Sequence, residues 1–404
     1  MGAVAQPDTP KNRRPRDRRI QIAEHAGELF SERGFHSVRM GDIAEASGIT
    51  ARALYRHYDN KQALLSHVVV EDQNRFVEAF TKLAARSDGS RDLDDTLTTL
   101  TEVALRSRRI SLLWQRESRH LDPVAYQLVR DRTRWIEEQI EQLLVSPQRP
   151  DLSRTAAELR SWAVFSILTS TAYYDVALPR PRMVRELADA SKRVIAAPTP
   201  NASPGHEKHA IHRSPSARRE QLIAGAAKAF RHSGYVGVSI DDIGGDAGVA
   251  GPALYRYFDT KADVLVAAVT RFYEWQALET TRALSTAPEP EQVIAALIEG
   301  YVRLAFTATD LLAVTLTERL YLPEDARERL DRIHADNTAE WQRWLLVARP
   351  DLRPPQAAVR VNVVKRIIDD CVRTPHLHKN PQFGEDLIQV ALATLDLPEQ
   401  APAI

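Results

Sequence analysis

Apolar positions recur along most of this chain at intervals of three and four, the period of helices with one buried face. The first clear run puts Ile22, Ala26, Leu29 and Phe30 on one stripe, and two hundred positions later Leu222, Ala226, Ala229 and Phe230 fall the same way. A glycine followed by an aromatic residue ends each run, at Gly34 and Gly234, and reads as a left-handed helix stop. The pattern then predicts a short second helix over 42–47 and 242–247, closed by Gly48 and Gly248. A third helix follows over 52–58 and 252–258. Two short helices joined by a turn containing glycine make a helix-turn-helix. Thr50 can cap the first copy of the third helix, whereas the second copy starts Ala-Gly-Pro. Ser239 and Asp242 supply a capping-box start, offsetting part of the about 1 kcal/mol that each of Gly244 and Gly245 costs relative to alanine.

Downstream, "DPVAYQLVRDRTRWIEEQIEQLL" and "EDARERLDRIHADNTAEWQRWLL" predict long amphipathic helices. In "TAAELRSWAVFSILTSTAYYDVAL" and "PQAAVRVNVVKRIIDDCV" apolar or small residues cover most of the circumference, so these helices are expected to be buried on more than one side. Strand signals are few, and the expected class is all-α throughout.

The two copies align without a gap. "RIQIAEHAGELFSERGFHSVRMGDIAEASGITARALYRHYDNKQALL" stands over "REQLIAGAAKAFRHSGYVGVSIDDIGGDAGVAGPALYRYFDTKADVL", with roughly a third of positions identical. That is a duplication with a period of 200. Between the units, "AAPTPNASPGHEKHAIHRSPSARR" has the composition of a linker, and about twenty residues of it can span on the order of 65 Å. The expected organisation is a basic arm without fixed structure over 1–16, heads over 17–65 and 216–265, helical bodies over 66–195 and 266–397, and a linker over 196–215.

At 404 residues, two domains are the natural expectation, and 44% apolar with 27% charged residues fits a soluble globular chain. Nowhere do about 18 apolar residues run uninterrupted, so no membrane span is expected. The charged opening stretch has no apolar run behind it and is not read as a secretory signal. Cys371 is the single cysteine, which excludes an internal disulfide and suits a reducing cytoplasm. Net charge is zero, yet residues 11–61 carry eleven Lys/Arg against seven Asp/Glu, and 211–261 carry seven against five. Positive charge concentrates in the repeated segments, where a polyphosphate partner would need it.

The third helix carries the candidate chemistry. Leu54 and Tyr58, like Leu254 and Phe258, face inward, while Arg52, Tyr55 and Arg56 share the opposite face. Arginine can bond guanine bidentately, and tyrosine can reach phosphate or pack on a thymine methyl, so this stripe suits the major groove. Lys61 and Lys261 stand where the next helix begins, a place the helix dipole disfavours for a cation, which points to a phosphate contact.

The order helix, Gly-aromatic, "DIA", "GIT", "ALYRHYDNKQALL" resembles the TetR family of bacterial transcription regulators over about 47 residues, and the second copy resembles it again. The resemblance implies DNA contacts from Thr50, Ala51, Arg52, Tyr55, Arg56, His57 and Lys61. The matching second set is Ala250, Gly251, Pro252, Tyr255, Arg256, Tyr257 and Lys261. The tandem arrangement behind "RRPRDRR" is similar to two-headed repressors of bacterial lipid-import operons. Members of the family are ordinarily homodimers reading palindromes. Two fused units therefore imply a dimer within one chain, packed through residues 162–174 and 359–372, on an operator with unlike half-sites. An alternative remains that these helices only line each body's own core.

The resemblance also implies a sensor body with a small hydrophobic effector, a lipid, sterol-related compound or acyl-CoA. Candidate pocket residues are Trp114, Tyr126, Trp135, Trp162, Phe165 and Tyr173 in the first unit, and Tyr301, Phe306, Tyr321, Trp341 and Trp344 in the second. Aromatic residues at helical spacing equally suit a core. His206, His209 and His212 lack a carboxylate or cysteine cluster, and no metal or other cofactor is expected. No phosphate loop or nucleophile elbow occurs, so no enzyme activity is expected. Two rival readings stay open: a DNA-organising protein of the same fold without an effector, and an enzyme or lipid carrier using the helical cavity.

Overall fold

The computed structural model describes residues 15–85, 92–200, 217–246, 248 and 251–397, and every element among them is helical. The first half runs α1 (Pro15–Ser37), α2 (Met40–Ala46), α3 (Ala51–Leu54), α4 (Lys61–Ala84), α5 (Leu93–Arg106), α6 (Arg109–Glu117), α7 (Pro123–Ile140), α8 (Ser146–Gln148), α9 (Arg154–Thr169) and α10 (Arg180–Ala196). The second half runs α11 (Arg218–Gly237), α12 (Ile240–Asp246), a 3-10 turn over Gly251–Arg256, α13 (Lys261–Thr286), α14 (Pro290–Thr307), α15 (Thr309–Thr317), α16 (Glu324–Ala348), α17 (Pro354–Val372) and α18 (Phe383–Leu395). The expected all-α class with two tandem units is what the chain adopts.

Each head closes on the stripe that its sequence encodes. Ile22, Ala26, Phe30, Val38, Ile43 and Leu54 are all wholly buried, as are Leu222, Ala226, Phe230, Ile243 and Leu254 in the second copy. Gly34 (φ 77°) and Gly234 (φ 72°) turn the chain where other residues would be strained. At Gly234 a Cβ would also lie 2.4 Å from the Arg119 guanidinium, so a side chain there would displace that group. Thr50 Oγ1 accepts from the Ala53 amide at 3.2 Å and starts α3. Ser239 and Asp242 exchange the bonds of a capping box, at 2.8 and 3.1 Å, and start α12.

The recognition segments are shorter than expected. In the first copy only Ala51–Leu54 is α-helical before the chain turns, and in the second the segment is a 3-10 helix. Gly251 is a weak helix former, which fits the short 3-10 turn in place of a regular α-helix. Ala250 lies outside the described residues, as do residues 1–14 of the arm and residues 201–216, which include the three linker histidines.

The halves share one core. α9 packs against α17 and α10 against α18, with α9 also on α10 and α17 on α18. A single apolar cluster runs from Phe76 and Leu168 of the first body to Val363, Val390 and the second head, while the first head keeps its own. Two buried ion pairs cross this junction: Arg160 to Asp386 at 3.1 Å and Arg360 to Glu186 at 3.2 Å. The two arginines stand two hundred positions apart, as do the two carboxylates, so the duplication extends to individual charges.

Candidate nucleic-acid interface and body cavities

Thr50 fixes the first turn of α3, and its position on the buried Leu54 leaves the other face in water. Ala51, Arg52, Tyr55 and Arg56 are exposed and His57 is half-buried. In the second head Tyr255, Arg256 and Tyr257 are exposed. Tyr55 keeps 53% of its surface and Tyr255 56%, far more than a tyrosine used for packing would. Arg52, Arg56 and Arg256 have no ion-pair partner among the described residues. Each head thus presents guanidinium and phenol groups outward, with no ion-pair or hydrogen-bond partner for these side chains among the described residues. The backbone of Gly251 and Pro252 begins the second segment.

Lys61 and Lys261 are placed differently from the expectation. The Lys61 ammonium donates to the Phe35 carbonyl at 2.6 Å and the Val38 carbonyl at 2.8 Å, over the Phe35 ring. Lys261 does the same with the carbonyls of Tyr235 and Val238, both at 2.8 Å. Burial lowers both ammonium pKa values from the ordinary lysine range. These lysines tie the end of one helix to the start of another with two of their three donors, an internal role beyond the expected phosphate contact.

The heads are fastened to the bodies across the duplication. Arg116 donates to the Phe30 and Ser31 carbonyls at 3.1 and 2.9 Å, holding the first head on its own body. Arg119 of the first body bonds Glu318 of the second at 2.6 Å, and Glu318 accepts from the Tyr235 amide at 3.0 Å. Glu318 is wholly buried. Arg119 of the first body thus meets the second head both through the Glu318 carboxylate and directly at Gly234. Leu320 and Tyr321 meanwhile rest on Gly34 of the first head, an apolar counterpart of the same crossing.

Each body holds a cavity of about 270 Å³. Phe76, Trp114, Ile136, Trp162 and Phe165 line the first. Phe272, Tyr301, Leu312, Asn362, Lys365 and Asp369 line the second. Each is completed by the other half, Asp370, Arg373 and Thr374 closing the first and Ala172, Tyr173 and Tyr174 the second.

Among the expected pocket residues, Trp114, Trp162 and Phe165 line the first cavity and Tyr301 the second. Tyr173 lines the second cavity, not its own. The others lie elsewhere because packing claims them. Trp135 stands edge-on to Phe80, and Trp341 is buried against Tyr301. Tyr126 leans on Trp114 at the surface, Tyr321 stacks on Tyr235, and Trp344 bonds Glu340. Phe306 lines an outer groove between the second head and body. Sequence reasoning passed over Gln276, Asn362 and Lys365. The available signal was polar residues interrupting α13 and α17 where the first copy has Phe76, Trp162 and Phe165.

The sequence profile described as "Bacterial regulatory proteins, tetR family" matches residues 22–68 and again 222–268. Over 105 residues the chain is 30% identical to the HTH-type transcriptional repressor KstR2 of Rhodococcus jostii (strain RHA1), spanning 26% of this chain and 52% of that protein. Over 62 residues it is 39% identical to the HTH-type transcriptional regulator UidR of Escherichia coli (strain K12), spanning 15% and 32%. The match thus covers about half of the first relative's length and a third of the second's. A solved structure, ketosteroid transcriptional regulator KstR2 of Mycobacterium tuberculosis, aligns at 17% identity and a TM-score of 0.38 over 46% of this chain and 97% of its own. No helix among the described residues is long and apolar enough to cross a membrane.

Proposed function

We propose that this chain, which carries the N-terminal module described for the tetR family at residues 22–68 and again at 222–268, is a tetR-family protein and a sequence-specific DNA-binding transcriptional repressor of the cytoplasm. Its two halves act as an intramolecular pseudo-dimer, with heads at 17–65 and 216–265 on bodies at 66–195 and 266–397. The operator is double-stranded DNA with two unlike half-sites, and a small hydrophobic compound, lipid-related or an acyl chain, releases it. The observation that carries this reading is the pair of outward guanidinium and tyrosine faces, which have no partner among the described residues. Such groups supply both phosphate attraction and base readout in the major groove. The unlike operator follows from the faces themselves, Arg52 and His57 on one head against Pro252 and Tyr257 on the other. The two cavities support the effector and favour this reading over a DNA-organising protein without one.

The test is footprinting followed by binding to operator variants. Arg52→Ala is expected to cost about 1–3 kcal/mol of binding and to relax base preference in one half-site only. Arg256→Ala is expected to do so in the other half-site. A perfect palindrome read equally by both heads would refute the asymmetric operator, and a footprint independent of sequence would refute the specific repressor.

A further inference from the structure

The two cavities occupy corresponding places but differ in chemistry. Phe76, Trp162 and Phe165 of the first correspond, two hundred positions later, to Gln276, Asn362 and Lys365 of the second. Three aromatic side chains of the first cavity are thus replaced by two amides and an ammonium in the second.

Lys365 is only 5% exposed. Its ammonium donates to Asn337 Oδ1 at 2.8 Å and Thr338 Oγ1 at 3.0 Å, both neutral. An ammonium has three donors, so one remains, and no carboxylate among the described residues lies within ion-pair distance of it. The other charged groups around the chamber are already engaged or neutral. Arg366 is held by Asp370, with Nε to Oδ2 at 2.7 Å, and lies over the Tyr173 ring. Arg319 bonds Asp331 at 2.5 Å, and Asp369 accepts from the Tyr301 hydroxyl at 2.7 Å. Burial pushes His334 down to about 4, leaving it neutral. Gln276, 4% exposed, has no hydrogen-bond partner for its amide oxygen. Its amide can be turned to present NH₂ toward the same space. Phe272, Leu312 and Leu316 supply an apolar wall. The Asp369 carboxylate, one turn along α17, and the Trp341 ring, 5.2 Å from the ammonium, offset part of the cost of burying this charge, yet burial still pulls the Lys365 pKa down to about 7.

We infer that the second cavity takes an apolar molecule ending in a carboxylate, with Lys365 bonding the carboxylate and Gln276 assisting. The inference rests on the reading of the bodies as sensors, but its test needs no DNA. Loss of operator binding would therefore bear on that reading and not on this one.

The experiment is calorimetric titration of the full-length chain at pH 6.5 with octanoate, dodecanoate and 4-phenylbutanoate, each beside its methyl ester. At least one acid is expected to bind about tenfold more tightly than its ester, the scale of one charge-assisted hydrogen bond. Lys365→Met, which keeps the volume and removes a buried charge, is expected to abolish the preference and leave ester binding within about twofold. Lys365→Gln, as a second and still polar replacement, is expected to do the same. Absence of any acid binding, equal binding of acid and ester, or a preference that survives both substitutions would overturn the proposal.

Discussion

Lys61 and Lys261 each close a gap of the backbone, joining carbonyls on either side of the turn after α1 or α11 to the first residue of the long helix α4 or α13. Two bonds from a charged donor at a half-buried position are worth a few kcal/mol at most. Lys61→Met is expected to destabilise by about 1–3 kcal/mol in denaturant melts, because two carbonyls lose their donor. The salt dependence of DNA binding is expected to stay unchanged; a slope reduced by about one would instead restore the phosphate contact. Residue identity alone could not separate these roles. A lysine after "DN" or "DT" reads as solvent-facing, and its carbonyl partners lie 23 and 26 positions upstream, beyond any local pattern. The outward faces of Arg52, Tyr55 and Arg56 were legible because a helix sorts its own faces with a fixed period.

Among elements, α9, α10, α17 and α18 bind the halves together. The broad apolar cover of α9 and α17 made their burial readable from sequence. α10 and α18 were not, since each shows only one apolar stripe and so resembles any surface helix. The cross-junction pairs were also hidden. Arg160 and Arg360 sit in the middle of apolar runs, and only the assembled fold brings Asp386 and Glu186 to them. Arg160 is wholly buried and Asp386 nearly so, so Arg160→Ala leaves a carboxylate without its partner and is expected to cost about 3–5 kcal/mol. The double replacement Arg160→Leu with Asp386→Leu is expected to recover most of that loss in equilibrium unfolding, because both desolvated charges then disappear. A double variant as unstable as the single would mean that Arg160 acts chiefly through its bonds to the Ala197 and Pro198 carbonyls. The 3-10 form of the second recognition segment, by contrast, was foreshadowed by Gly251 and Pro252 without its length being fixed.

On the scale of the whole molecule, one apolar cluster continues from the first body through the second. The connection between residues 201 and 216 is then not what holds the halves in place. A protease site inserted there and cleaved is expected to leave the halves co-eluting on size exclusion, with an unfolding midpoint that becomes concentration-dependent. Separation of the fragments would contradict a shared core. The crossing of Arg119 to Glu318 adds a directional element, since the reverse crossing uses Leu320 and Tyr321 on Gly34 in place of an ion pair. Charge therefore links the first body to the second head, and apolar contact links the second body to the first head.

Tyr173 and Tyr174 wall the neighbouring chamber, as Arg373 and Thr374 wall theirs. Neither lobe is thus free to drift under mutation by itself. A substitution selected for what one chamber admits reshapes the doorway of its twin, so their selectivities must evolve as a pair.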